Sequence, residues 1–295
     1  MDTENLKLFL HLADTLHFGK TSKACHMSPS TLSRQIQRIE EEIGQALFER
    51  DNRSVTLTEN GLKFRRYAKE SLENWYELLQ SLNGENQELK GEISMYCSVT
   101  ASYSVLSDLL SDFRKQHSKI EIKLRTGDAA SSIEKVLSGE VDLVIAAKPD
   151  MLSPKLDFIT IAESPLLFIA PKTDCSVRTM VNDKEIQWDK IPVIIPERGL
   201  ARKRVDLWFK QKGIKPNIYA QVLGNEGIVS MVNLGFGVGL VPQLVYKNSP
   251  FEDKVEILSV SNPLKPYQVG VCATKKRIKN SLIAAFWDVA LKREL

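Results

Sequence analysis

No stretch of this 295-residue chain approaches the ~20 consecutive apolar residues that a membrane-spanning helix requires. The N-terminus, Met1-Asp2-Thr3-Glu4, is acidic and has no apolar export core, so no membrane role or secretion is expected. Cysteine is scarce. Cys25, Cys97, Cys175 and Cys272 lie far apart with no paired spacing, which fits reduced, mostly buried thiols of a cytoplasmic protein. Histidine is as rare, and His11, His17, His26 and His117 show no metal-ligand spacing. Catalytic motifs are missing too. Gly235, Gly237 and Gly239 precede a strand instead of opening a helix, so they make no dinucleotide loop. Ser132-x-x-Lys135 lacks the companion motif of a serine nucleophile. No glycine-rich loop ending in Lys-Ser or Lys-Thr is present to cradle phosphate. These absences speak against an enzyme and against any cofactor or metal.

A net charge of +3 is too small to argue for nucleic acid. The local absence of acids matters more. From Thr15 to Ile39 there is no carboxylate, while Lys20, Lys23, Arg34 and Arg38 are basic. Within this stretch Ser28 is an N-cap candidate and Pro29 suits the first helical position, where no N–H is needed. Leu32, Ile36, Ile39 and Ile43 then recur at helical spacing, one apolar face. Ser30, Ser33, Arg34, Gln37 and Arg38 fall opposite. Such a face can enter the DNA major groove, with an arginine gripping guanine O6 and N7. An ordinary amphipathic helix with a solvated side has the same pattern, so the neighbours decide.

Leu6, Phe9, Leu10 and Ala13 predict a first short helix, broken at His17-Phe18-Gly19. Thr21–His26 predicts a second, and Met27-Ser28 the turn into the third. That is a helix-turn-helix. Asp51-Asn52 is turn chemistry between Phe48–Arg50 and the alternating Val55–Thr58, which predicts a two-stranded wing. Arg50 and Arg53 sit near its tip, placed for phosphate or the minor groove, or as a solvated hairpin end. Thr58 can cap a long helix over Glu59–Leu82. Ala68, Leu72, Trp75, Leu79 and Leu82 alternate steps of four and three, a short coiled-coil seam. The seam predicts a dimer, with packing against its own chain as the competing explanation. Asn83–Glu88 has no apolar side chain and predicts a linker.

After the linker, strands and helices alternate. Ile93–Val99 reads as a strand, Ser102–Gln116 as a helix, Ile120–Leu124 as a strand, Ser131–Leu137 as a helix and Asp142–Ala147 as a buried strand. Phe158–Ile161 and Leu166–Ala170 continue as strands. A similar series restarts with strand Val193–Ile195, helix Ala201–Lys212, strand Ile218–Leu223, helix Glu226–Leu234 and strand Gly237–Val241. Ser138–Ile145 and Leu234–Val241 occupy matching places. Strands Val255–Val260 and Gln268–Cys272 and a helix Ser281–Leu291 close the chain. The reading is a two-lobed α/β domain, hinged where the chain crosses near Ile161–Pro165 and returns near Pro263–Pro266, with a cleft at the strand C-terminal ends.

With Phe9, Ala13, Phe18, Ala24, Ser28–Ile43, Leu47-Phe48-Glu49-Arg50 and Leu57-Thr58-Glu59-Asn60-Gly61, the N-terminal module resembles the LysR-type transcriptional regulators, and the two-lobed remainder resembles their effector domain. The same likeness is carried by Cys97–Tyr103, Thr126–Ala130 and Gly270–Arg277. It departs at Ser30-Thr31, where many members have a different pair. The resemblance implies an α/β fold with a winged helix-turn-helix at 1–58, a linker or dimerisation helix and hinge at 59–90, and a periplasmic-binding-protein-like effector domain at 91–295. Lobe I is expected at about 91–162 and 267–295, lobe II at about 163–266. It further implies a double-stranded DNA operator, RNA polymerase, a homodimer or homotetramer, and control of branched-chain amino acid biosynthesis through the acetohydroxy acid isomeroreductase gene. The implied effectors are acetolactate and acetohydroxybutyrate.

A small hydroxy-oxo acid needs an anchor for its carboxylate and donors for its oxygens. Ser98, Thr100 and Ser102 follow the first strand of the effector domain, and Arg202 lies in the first turn of a lobe II helix. Asn225 at the next helix start and Lys148 after a strand end are further candidates. Simple capping accounts equally for the hydroxyls, and a solvated surface for Arg202 and Lys148. Two alternatives stay open: a regulator of another operon with a different small anionic effector, and a two-lobed solute-binding protein or enzyme carrying a helical appendage.

Overall fold

The computed structural model describes residues 2–51, 54–82, 88–182 and 186–295. The chain divides into two bodies, Met1–Gln87 and Glu88–Leu295. In the first, α1 (Thr3–Thr15) is capped by Asp2, whose carboxylate accepts from the Asn5 N–H at 2.8 Å. Helix α2 (Phe18–Ala24) begins three residues before the sequence reading placed it. The break expected at His17-Phe18-Gly19 falls instead at Leu16 and His17, because the His17 ring accepts from the Lys20 N–H at 3.2 Å and caps the helix itself. Helix α3 (Pro29–Ile43) starts at Ser28, whose hydroxyl accepts from the Thr31 N–H, and stops at Gly44 with φ +73°, the left-handed turn that glycine adopts without steric cost. Leu32, Ile36 and Ile39 are buried.

Strands β1 (Phe48–Arg50) and β2 (Val55–Leu57) pair antiparallel as the wing. Glu40 fastens that wing to α3. One carboxylate oxygen accepts from the Leu47 and Phe48 N–H groups at 2.8 and 3.1 Å, and the other pairs with Arg50 at 2.8 Å. The Thr58 hydroxyl accepts from the Gly61 N–H and opens α4 (Glu59–Leu82). Phe9, Phe48 and Phe64 form the centre of the core, with ring centroids 4.6 and 5.3 Å apart about Phe9.

The second body holds two five-stranded sheets of the same design. Its elements in order are β3 (Gly91–Cys97), α5 (Val99–Ser104), α6 (Leu106–Gln116), β4 (Ile120–Thr126), α7 (Ser132–Ser138), β5 (Leu143–Ala147), β6 (Leu156–Ser164), β7 (Leu166–Pro171) and α8 (Ser176–Val181). Then come β8 (Pro192–Pro196), α9 (Gly199–Gln211), β9 (Asn217–Val222), α10 (Asn225–Asn233), β10 (Val238–Pro242), α11 (Gln243–Lys247), β11 (Val255–Leu258), β12 (Tyr267–Thr274), α12 (Lys275–Ile278) and α13 (Ser281–Leu291). One sheet runs β4-β3-β5-β12-β6 and the other β9-β8-β10-β7-β11. In each, three parallel strands meet an antiparallel fourth. The matching pieces noticed in the sequence end in the equivalent strands β5 and β10. The chain changes sheets between β6 and β7, where Pro165 alone separates them, and returns between β11 and β12.

Strand β3 ends two residues before the sequence reading had it, because the Ser98 hydroxyl accepts from the Ala101 N–H and starts α5. The helix expected over Ser102–Gln116 is two helices, α5 and α6, meeting at Val105. Helix α8 was not anticipated. Among the described residues no helix is long and apolar enough to cross a membrane.

Candidate functional site

Two surfaces carry the chemistry. On α3, Pro29, Ser30, Arg34, Gln37 and Arg38 are exposed and Ser33 is half-buried. Opposite them lie the buried Leu32, Ile36 and Ile39, so the face is presented outward from the first body's core. Ser28, Ser30 and Thr31 share hydroxyl contacts of 2.8–2.9 Å at the helix start. Gln37 donates to Glu41 at 3.1 Å. Arg34 and Arg38 make no ion pair among the described residues.

Arg50 is not the free tip arginine that the sequence suggested. Its guanidinium pairs with Glu40, lies 5.0 Å over the Phe18 ring and approaches the Ser33 hydroxyl at 3.4 Å. It joins wing to α3, because Glu40 already faces the wing to hold its backbone. Arg53 lies outside the described residues.

The expected seam on α4 splits in two. Ala68 and Leu72, exposed by only 0% and 7%, are packed in the first body's own core with Leu6, Phe9 and Phe64. That corrects their assignment to a dimer face: the period seen in the sequence arises there from packing on α1. Trp75, Leu79 and Leu82, further along, are exposed at 45%, 36% and 72%.

The second surface is a cavity of about 380 Å³ between the two lobes of the second body. It lies at strand C-terminal ends, where open α/β sheets bind ligands. Lobe I contributes Ser98, the Gly127–Ala130 turn after β4 and Pro149–Met151 after β5. Lobe II contributes Arg198–Ala201 and Lys203 after β8, and Leu223–Glu226 after β9. Tyr267 closes one end, and burial pushes its phenol well above the ordinary range.

Of the expected effector residues, Ser98 and Asn225 line this cavity. Thr100 is buried at its edge and donates from its hydroxyl and N–H to Glu226 at 2.5 and 3.2 Å. Three others lie elsewhere. The Ser102 hydroxyl turns back to the Val99 carbonyl at 2.6 Å, as a side chain one turn into a helix does. Lys148 sits 5.6 Å from the Phe158 ring, because Ala147 and Pro149 take the cavity side of the chain at this strand end. Arg202 is drawn away by Asp206, one turn on, and by Gln221 of β9.

Sequence reasoning missed the residues that bridge the cleft. Arg198 reaches across to the Asp128 carboxylate at 2.7 Å and the Ser131 hydroxyl at 3.1 Å. Gly199, at φ +88°, brings the lobes close: a Cβ there would stand 2.8 Å from that of Ala130. Arg204 is buried over Tyr267 and donates to the Lys265 and Pro266 carbonyls at 2.7 and 2.8 Å, holding the returning crossover. Burial opposes ionisation of Asp150, but its bonds to Arg204 and Lys265 outweigh that and hold its carboxyl below the usual range. Arg198, at the N-cap of α9, was within reach of the helix-start argument, one helical turn before the arginine that argument selected. The cavity offers hydroxyls, backbone donors and two cations, Arg198 and Lys203. That set suits a small oxygen-rich anion.

Comparison with known proteins bears on both surfaces. Residues 3–62 match the family described as bacterial regulatory helix-turn-helix protein, lysR family, and residues 86–294 match the LysR substrate binding domain. The HTH-type transcriptional activator IlvY of Salmonella typhimurium is 47% identical over 292 residues, covering 98% of this chain and 99% of its own. Among solved structures, a full-length OxyR variant from Pseudomonas aeruginosa superposes with a TM-score of 0.70 at 21% identity, covering 98% of this chain and 94% of that one. Full-length CbnR complexed with its target DNA does so with a TM-score of 0.61 at 19% identity, covering 99% of this chain and 100% of that one.

Proposed function

We propose, since this chain belongs to the LysR family of DNA-binding transcriptional regulators, that it activates genes of branched-chain amino acid biosynthesis in response to acetolactate or acetohydroxybutyrate. The observation that carries this reading is the 47% identity to the activator IlvY, which runs through both bodies and 98% of the chain. The cavity chemistry supports it. Acetolactate and acetohydroxybutyrate each carry one carboxylate, one hydroxyl and one carbonyl, and Ser98, Thr100, Asn225, Arg198 and Lys203 offer the matching donors. The gene for acetohydroxy acid isomeroreductase, which consumes such acids, is the proposed target.

The DNA contacts proposed are those of α3. Arg34 reads a guanine edge, Ser30, Ser33, Gln37 and Arg38 flank it, and Pro29 sets the helix start against the backbone. A dimer places two such helices one DNA turn apart, ~34 Å. The exposed Trp75, Leu79 and Leu82 are the proposed contribution of α4 to that dimer or to a tetramer. RNA polymerase is the proposed partner for activation, in the cytoplasm. Effector binding acts by favouring one degree of lobe closure, and it shifts that balance only as far as its affinities for the two states differ.

Footprinting of the intergenic DNA beside the protein's own gene, with and without acetolactate, tests this. A protected inverted repeat whose pattern changes with acetolactate is expected. Protection that no 2-hydroxy-3-oxo acid alters would overturn the effector, and absence of any protected site would overturn the operator.

A further inference from the structure

We propose that Glu226 is a built-in rival of the effector, its carboxylate and the effector's competing for the same donors on Thr100. This rests on the cleft being the effector site. Thr100 belongs to lobe I and is exposed by only 3%. Its N–H and its hydroxyl both donate to one oxygen of Glu226, at 3.2 and 2.5 Å. Glu226 comes from α10 in lobe II, so the bond spans the cleft, and Glu226 also lines the cavity. A buried hydroxyl and an N–H converging on one carboxylate oxygen are what an anionic ligand would need, and the protein's own side chain already supplies the anion.

Charge makes replacement more favourable than sharing. The cavity is bordered by three carboxylates, Asp128, Asp150 and Glu226, against two cations, Arg198 and Lys203. Arg198 is committed to Asp128. A second carboxylate beside Glu226 would face like charge at close range. Glu226 itself is exposed. On release its carboxylate regains water, whereas the buried Thr100 hydroxyl requires a new partner. The effector's carboxylate is that partner, and Lys203, which makes no ion pair among the described residues, is the cation placed to accompany it. Glu226 therefore selects for ligands that bring a carboxylate of their own. It also exchanges a direct bond between the lobes for one that runs through the ligand.

The test uses full-length protein with Glu226→Ala, Thr100→Val and the double variant, titrated calorimetrically with acetolactate. Removing an occupant that holds the donors about nine-tenths of the time tightens apparent affinity about tenfold, and that gain is expected for Glu226→Ala. No such gain is expected when Thr100→Val is already present. An unchanged or weakened affinity in Glu226→Ala, where the wild type binds, overturns the proposal. A second arm does not depend on which effector is natural. Acetate at millimolar concentration should raise the Tm of Glu226→Ala, by returning a carboxylate to Thr100, and should not raise that of the wild type or the double variant. Rescue by acetate with no acetolactate binding in any variant removes the effector assignment and leaves the rivalry standing. Absence of rescue overturns it.

Discussion

Arg34 and Arg38 stand out from α3 with no acid paired to them among the described residues, while Arg50, equally cationic, is bound to Glu40. Charge alone does not distinguish them, but engagement does. A guanidinium already satisfied by a carboxylate has less to offer to a base edge. Arg34→Ala is expected to lower affinity for the preferred site by ~1–3 kcal/mol and to relax base preference at one position, measured by anisotropy titration on a set of single-base operator variants. Unchanged selectivity would remove Arg34 from the reading face. The thiols behave by burial in the same way. Burial pushes Cys97 up to about 11 and Cys272, with Asp157 adding to it, up to about 12. At pH 8 the folded protein should therefore leave both unalkylated by iodoacetamide, and unfolding in urea should expose them. Labelling of either in the native protein would contradict their placement in the sheet. The wide, unpaired spacing of the cysteines predicted reduced, mostly buried thiols; strands β3 and β12 bury Cys97 and Cys272, while Cys25 and Cys175 are half-buried.

At the scale of single elements, α4 is the instructive case. Its whole length was legible from the Thr58 cap and the apolar period, yet its role divides along it. The first half packs on its own body through Phe64, Ala68 and Leu72, and the second half shows Trp75, Leu79 and Leu82 to solvent. Leu72→Asp is expected to lower the Tm of the N-terminal body and to abolish DNA binding without first dissociating a dimer. Trp75→Asp with Leu79→Asp should instead give monomers in sedimentation at unchanged Tm of that body. The reverse pair of outcomes would return the seam to where the heptad spacing put it. A repeat of four and three records that one face of a helix is buried, but not by what. The same limit explains α5 and α6. Apolar spacing runs across Val105, where α5 ends and α6 begins, so the period alone does not mark the junction.

The whole effector body depends on contacts between residues far apart in sequence. Arg198 meets Asp128, Gly199 nearly touches Ala130, and Arg204 grips the returning crossover at Lys265 and Pro266. Gly199→Val should hold the lobes apart, because a side chain at φ +88° is strained and its Cβ would clash with Ala130. We expect a larger radius of gyration for the protein in small-angle scattering and a weaker change in footprint with acetolactate. Ala130→Gly in the same chain should recover part of both. No change in either quantity would mean that the lobes approach along a different path.

Local order was readable in the chain because its causes are local. Caps at Ser28 and Thr58, the apolar face of α3, the wing turn and the doubled strand–helix series all act within a few residues or a single helical period. They were enough for the winged module, the two-lobed design and the family. The lining of the cleft was not readable in this way. Thr100 finds its partner on a helix of the other lobe, and Arg198 finds Asp128 across the same cleft. Such neighbours are chosen by how two sheets close on one another. That closure is set by the packing of both lobes at once, and no spacing along the chain encodes it.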